Sequence, residues 1–271
     1  MLRVNQLQGF GAPRRVAAGG FTDPTDLTDS IWFDFSDAST MTESDDSAPE
    51  NGDAIKTITA KGDYSTLPTF SEVSSGNGPL WDSGGFANFT GIRALIREDT
   101  FFEDGLAVLD GFCIYFLMKA NPAADARFIS EGRSSTTVPI YAPVQSGFTT
   151  ESVDSASFIR NDANSQVLGQ TSIYVNDVFD NTLQVFGHEL DNDSATWEGY
   201  NETTLDGSGI FNGAVGALTT DRASIGCLYR TTTSNFFVAS EVHHIVMVPR
   251  TSLTTQERSD LVAWLKTEGG L

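Results

Sequence analysis

The chain has 271 residues, 39% of them apolar and 19% charged, with 16 Lys and Arg against 36 Asp and Glu and a net charge of −20. That is enough apolar material for one large all-β domain or two modest ones, and it excludes a wholly disordered chain. The charge disfavours nucleic acid and anionic lipid as partners, and the longest apolar run, 112–118, has strand length, well short of the roughly 20 residues of a membrane helix, so no membrane insertion is expected.

Residues 1–20 carry Arg3, Arg14 and Arg15 and no acid, whereas 21–271 hold the other 13 basic residues and all 36 acids. Gly9, Gly11, Pro13, Gly19 and Gly20 forbid a long helix there. An extended basic arm over 1–20 is expected, docking through Arg3, Phe10, Arg14 and Arg15, ahead of one domain over 21–271. The first ten residues lack the apolar run of a secretory signal, and synthesis in a cytoplasm is the expectation.

From Phe21 onward, short runs rich in β-branched and aromatic residues are separated by Gly, Asn, Asp, Ser and Pro clusters. They predict strands at 31–35, 55–59, 86–90, 112–119, 127–130, 157–160, 172–175, 183–188, 223–228, 236–239 and 242–248, and together a two-sheet sandwich. Phe112, Ile114, Phe116 and Met118 alternate with Cys113, Tyr115 and Leu117, which predicts a strand covered on both faces; 245–248 reads the same way. The stretch 36–51 is an acidic solvated loop. Thr254 and Glu257 form a capping box ahead of Leu261, Val262 and Leu265, with Trp264 on the flank, so one short amphipathic helix closes the chain and Gly269 and Gly270 stop it. Trp32 and Trp264 are assigned to the core.

Several groups bear on chemistry. Cys113 and Cys227 lie in apolar runs without a CxxC or Cys/His companion and read as buried thiols, a disulfide requiring their strands to be neighbours. His243 and His244 are adjacent on a strand, so their rings are expected on opposite faces. A saccharide needs an aromatic face beside amide or carboxylate groups. Trp197, Glu198, Tyr200 and Asn201 offer that set, provided Trp197 and Tyr200 are exposed; packed in the sandwich or at a subunit contact, they serve stability instead.

Three phrases carry a resemblance. Leu27-Thr28-Asp29-Ser30-Ile31-Trp32-Phe33-Asp34-Phe35-Ser36-Asp37-Ala38-Ser39-Thr40, then Phe86-Ala87-Asn88-Phe89-Thr90-Gly91, and finally Ser240 to Val248 followed by Leu253-Thr254-Thr255-Gln256-Glu257-Arg258, resemble the opening, middle and close of concanavalin A-like lectin/glucanase (laminin-G-like) jelly-roll domains found in phage structural proteins. Thr90 stands where that family has an acid. Leu205-Asp206-Gly207 and Ser224-Ile225-Gly226 are similar to its turns.

The resemblance, which spans roughly 27–268, implies an all-β, two-sheet concanavalin A-like jelly-roll sandwich with one short C-terminal helix; the extended N-terminal arm over 1–20 falls outside it. The resemblance implies a non-enzymatic virion structural protein, a decoration, spike or tail-associated subunit. Its partners would be other virion proteins, further copies of itself and host surface glycans. The alternatives are a lectin module without structural role, or a glycoside hydrolase. Fold-related hydrolases use an E-x-D-x-E strand, which Glu189, Asp191 and Asp193 approximate, but Asp193 replaces the acid/base Glu and 192–194 reads as a turn. No catalytic residue and no cofactor is therefore assigned. Calcium, which some relatives bind, would use Asp191 and Asp193.

Overall fold

Alternation along the longest central strand, Gly111–Ala120, sets the architecture: Phe112, Ile114, Phe116 and Met118 face one buried layer and Cys113, Tyr115 and Leu117 another. The structure is a computed structural model describing residues 21–271 except 104, 107, 122–124, 146–152, 213–217 and 232. The arm residues Arg3, Phe10, Arg14 and Arg15 lie outside the described residues.

Two antiparallel sheets face each other across the first layer. One runs Thr204–Ile210, Thr196–Asn201, Leu183–Asp191, Gly111–Ala120, Ser240–Val248, Phe86–Phe89, Leu80–Asp82, with Ile31–Asp34 also pairing Ser240–Val248, giving eight strands. The other has nine, in the order Gln166–Val175, Ser155–Arg160, Ile140–Gln145, Arg127–Gly132, Arg222–Ile225, Leu95–Arg97, Thr69–Glu72, Thr57–Thr59, Met41–Thr42. Aromatic contacts bridge them: Phe116 lies 5.7 Å from Phe128, Phe112 5.8 Å from Tyr141 and Phe33 5.4 Å from Phe70, centroid to centroid. Such pairs each add about 0.5–1.5 kcal/mol beyond the area they bury. This is the two-sheet all-β sandwich with a single C-terminal helix that the strand pattern predicts.

The helix, Thr255–Gly269, covers the far face of the eight-stranded sheet. Its capping box forms as expected, with Thr254 and Glu257 exchanging hydrogen bonds, and Gly270 ends it at φ 66° in the left-handed region. Leu261, Val262 and Leu265 pack on Cys113, Tyr115, Leu117, Val185 and Val246, with Trp32 and Trp264 meeting edge to face at 5.2 Å. The centre of the eight-stranded sheet is thus buried on both sides, and the outer face of the nine-stranded sheet is the one left without a helix.

Three expectations need correction. The run 223–228 is two strands, Arg222–Ile225 and Leu228–Arg230, because the chain turns at Gly226 with φ 85°; a Cβ there would come within 2.5 Å of the Phe89 ring. The run 236–239 is not a strand: Phe236 has φ 58°, and the paired residues are Thr233–Asn235, which form a small hairpin with Leu228–Arg230. His243 and His244 do not oppose each other. The pairing register slips between Val242 and His244, so Val242 and Ile245 both face the inter-sheet core. Both rings end on the helix side, His243 against Phe86 and His244 against Trp32 and Trp264.

Candidate functional site

The predicted site residues divide between the two faces of one hairpin. Thr196–Asn201 pairs with Leu183–Asp191 in the register Glu198 to Glu189, Leu190 to Trp197 and Asp191 to Thr196. Trp197 points inward with Leu190 and is 8% exposed, its ring laid over Gly209, where a Cβ would come within 2.9 Å of it. Tyr200 points the other way into the helix-side layer and is 7% exposed. Strand alternation sends the two rings to opposite faces, so Trp197 and Tyr200 form no common platform; Trp197 and Glu198 border one groove, and Asn201 sits at the hairpin end.

Glu189, the first acid of the hydrolase-like run, is held by the helix. Arg258 donates to both of its oxygens, at 2.8 to 3.0 Å, Tyr115 Oη donates at 2.7 Å and the Leu253 amide at 3.3 Å. The Glu189 side chain is 1% exposed and that of Arg258 12%. The guanidinium also lies 3.9 Å over the Tyr200 ring, whose hydroxyl donates to Glu198 at 2.5 Å. Burial, then the Glu189 charge, pushes the Tyr115 hydroxyl well above its ordinary pKa. Gly187 is required beneath this network, since any Cβ would come within 2.3 Å of the Tyr115 ring. A groove of about 220 Å³ opens beside it, between Glu189, Asp191, Glu198 and Thr251.

Asp191 accepts from the Ser194 amide at 2.8 Å, closing the turn. Among the described residues no three His, Cys, Asp or Glu side chains gather in an arrangement that would hold a metal. Cys113 and Cys227 are free and buried, in separate apolar clusters. Burial pushes the Cys227 thiol up to about 12 and raises that of Cys113 further from reactivity.

Two further acids are structural. Asp34, in the opening phrase of the resemblance, is buried, which alone would raise its pKa; His244, Lys61 and Ser36 together hold it well below the carboxylate range. Glu131 lies wholly inside the sandwich. It accepts from the Phe101 amide at 2.9 Å, the Leu106 amide at 2.8 Å and Thr220 Oγ1 at 3.0 Å, holding those three residues in place. Burial pushes its carboxyl up to about 7 against the pull of those donors.

On the nine-stranded sheet the small hairpin lies across the outer face and divides it. Leu228 packs with Ile140, Ala142 and Phe158 on one side, while Tyr229 joins Ala94, Val73, Ile96 and Phe237 on the other. On the Tyr229 side is an open cleft of about 310 Å³, walled by Val73, Ile92, Ile96, Tyr229 and Phe237, with Ser74, Asn77 and Ser234 supplying polar groups. Ile92 is 58% exposed. Arg222 stacks 4.4 Å over the Tyr229 ring, and the Tyr229 hydroxyl donates to Glu98 at 3.2 Å, which fixes that wall. Sequence reading missed this cleft, because its residues come from four separate segments. A cluster of three arginines lies on the Leu228 side.

No protein-family model matches this sequence, and neither does any curated protein. Several solved β-sandwich structures overlap it in part. The Ruminococcus gnavus IT-sialidase CBM40 superposes with a TM-score of 0.45 at 12% identity, over 59% of this chain and 84% of that one. A Streptococcus pneumoniae NanB sialidase structure gives 0.41 at 13%, over 55% and 23%. The binding domain of Botulinum neurotoxin DC, in complex with rat synaptotagmin II, gives 0.44 at 11%, over 66% and 43%. At such scores the likeness transfers no site to this chain.

Proposed function

We propose that this chain is a non-enzymatic adhesion subunit that contacts saccharides through the outer face of its nine-stranded sheet. The observation that carries the reading is the cleft beside Tyr229 and Phe237, on the face without the helix. Aromatic and aliphatic walls suit the CH-rich face of a pyranose, and Asn77, Ser74 and Ser234 suit its hydroxyls. Hydrolysis is disfavoured by the fate of the acids. Glu189 spends both oxygens on Arg258, Tyr115 and Leu253, and its Cα partner Glu198 takes the Tyr200 hydroxyl, so neither of this pair is poised as the nucleophile and acid that glycoside cleavage needs.

Phe237→Ala is expected to weaken saccharide binding about tenfold or more, equivalent to 1.4 kcal/mol, with the melting temperature nearly unchanged, because this ring is only partly buried. Trp197→Ala should do the reverse, lowering the melting temperature and leaving binding intact. A glycan array followed by titration calorimetry reads both. Saccharide turnover by the wild type that Glu189→Gln abolishes would overturn the non-enzymatic reading.

The setting we propose is a virion, with the sandwich as a decoration, spike or tail-associated subunit docked by residues 1–20. The resemblance of the opening and closing phrases supports it, as does the contrast of a cationic arm with an acidic body. Deleting 1–20 should leave a folded domain that no longer enters particles, and undiminished incorporation would contradict the docking role.

A further inference from the structure

Across the small hairpin from the cleft, the sheet gathers cations around two rings. The Arg127 guanidinium lies 4.5 Å from the Phe236 centroid and 5.6 Å from Phe158, Arg160 lies 5.1 Å from Phe158, and Arg230 5.8 Å from Phe236. Among the described residues one acid answers them, Asp125, which pairs with Arg127. The chain has only 16 basic residues against 36 acids, so placing three of them together with one described counter-charge runs against its own composition. Burial, with repulsion from its neighbours, lowers the pKa of both Arg127 and Arg230.

The hydrogen bonding is also incomplete. Arg127 is 2% exposed, yet its Nε has no partner among the described residues; the same holds for Arg160 Nε and for both amide atoms of Gln145, which is 0% exposed. Gln145 stands directly opposite Arg127 in the strand pairing, so its amide shares this neighbourhood. Buried donors and acceptors are almost always satisfied in folded proteins, and a group left open is accounted for by a ligand or water. Cation–ring packing accounts for the guanidiniums lying over the rings, but it supplies neither negative charge nor hydrogen bonds. Arg160 makes no ion pair or side-chain hydrogen bond among the described residues. Arg230 donates one, to the Thr137 carbonyl at 3.0 Å, and both side chains are part exposed.

We infer that Arg160 and Arg230, backed by Arg127 and Gln145, form a subsite for the anionic group of an acidic saccharide. The inference rests on the saccharide-binding reading above and adds the ligand's charge class to it. Guanidinium forks match the two oxygens of a carboxylate or sulfate, and the enclosed Gln145 amide lies behind them, out of a ligand's direct reach. Tyr229 and Arg230 are consecutive and turn to opposite sides of the hairpin, so one oligosaccharide crossing it would rest its neutral ring in the cleft and its acidic residue on the arginines.

The test uses the full chain and pairs of probes that differ in charge: sialyllactose with lactose, trigalacturonate with its methyl ester, and a heparin tetrasaccharide with its desulfated form. The expected result is at least a tenfold preference for an acidic member over its neutral partner, falling as NaCl is raised. Arg160→Gln with Arg230→Gln should erase that preference while neutral binding stays at the wild-type value. Arg160→Lys, which keeps the charge but loses the fork, should retain part of it. Both positions are part exposed, and a circular-dichroism melt confirms that the variants fold. Binding of the neutral members without acidic preference overturns the subsite and leaves the saccharide reading standing. A preference that survives the double substitution also overturns it. Binding of neither member of any pair overturns both.

Discussion

Replacing Arg258 by alanine is expected to cost about 3–5 kcal/mol of folding stability, measured as a shift in denaturation midpoint at constant slope. The reason is local. Glu189 is 1% exposed, and without Arg258 its carboxylate keeps, among the described residues, the Tyr115 hydroxyl and the Leu253 amide. A buried charge with its counter-ion removed is costly because nothing replaces the water it gave up. Tyr200 also loses the guanidinium lying 3.9 Å over its ring. The double variant Glu189→Gln with Arg258→Leu should recover much of the loss, since removing both charges removes the desolvation penalty along with the attraction. A cost of only a few tenths of a kcal/mol for Arg258→Ala would mean that the pair is solvated and that the helix is held by Leu261, Val262 and Leu265 alone.

The second large effect is a pH dependence centred on Glu131. Its folded pKa is pushed up to about 7 by burial, above the ordinary 4.5. Above pH 7 the carboxylate is ionised in both folded and unfolded chains, and the full burial penalty is present. As pH falls from 7 towards 4.5 the folded chain binds a proton that the unfolded chain does not, so stability rises by about 1.4 kcal/mol per pH unit, roughly 3 kcal/mol in total. Other groups act in the opposite sense. Burial lowers His188 to about 3 and His243 to about 4, so the unfolded chain takes up protons first below pH 6.5 and stability falls. The measurement is therefore the difference between wild type and Glu131→Gln across pH 5–8. The wild type should gain on the variant as pH falls, and a flat difference would show that Glu131 titrates as an ordinary carboxylate.

How much of this was legible depended on how local each signal was. The capping box at Thr254 and Glu257 is written within four residues, and the helix formed where expected. Gly111–Ala120 was legible because ten consecutive residues leave two alternating apolar faces and no other period fits. Ile140–Gln145 was missed because Pro143 interrupts it and its register slips on both sides. Thr204–Ile210 read as a glycine turn, since an edge strand has little apolar pattern to show. Phe236 and Phe237 had the composition of a strand, but a positive φ at Phe236 turns one ring to the arginines and the other to the cleft.

The site was less legible than the fold for the same reason. Trp197 and Tyr200 attracted notice as neighbours in sequence, and a period of two buried them on opposite faces. Tyr229, Phe237, Ile92 and Val73 become neighbours only once the hairpin folds over the sheet. The arginines left a faint trace: Arg127 opens a buried strand and Arg160 closes one, positions where a cation has to find a partner across the sheet.

The central claim is that binding occurs on the nine-stranded sheet and not beneath the helix. It is tested most directly by titrating the isotopically labelled protein with the best-scoring oligosaccharide and mapping the backbone amide shifts. The account predicts saturable shifts at Ile92, Asn77, Tyr229 and Phe237, with the helix and Glu189 unmoved. Shifts confined to Glu198, Tyr200 and Thr251, or none at saturating saccharide, would contradict it.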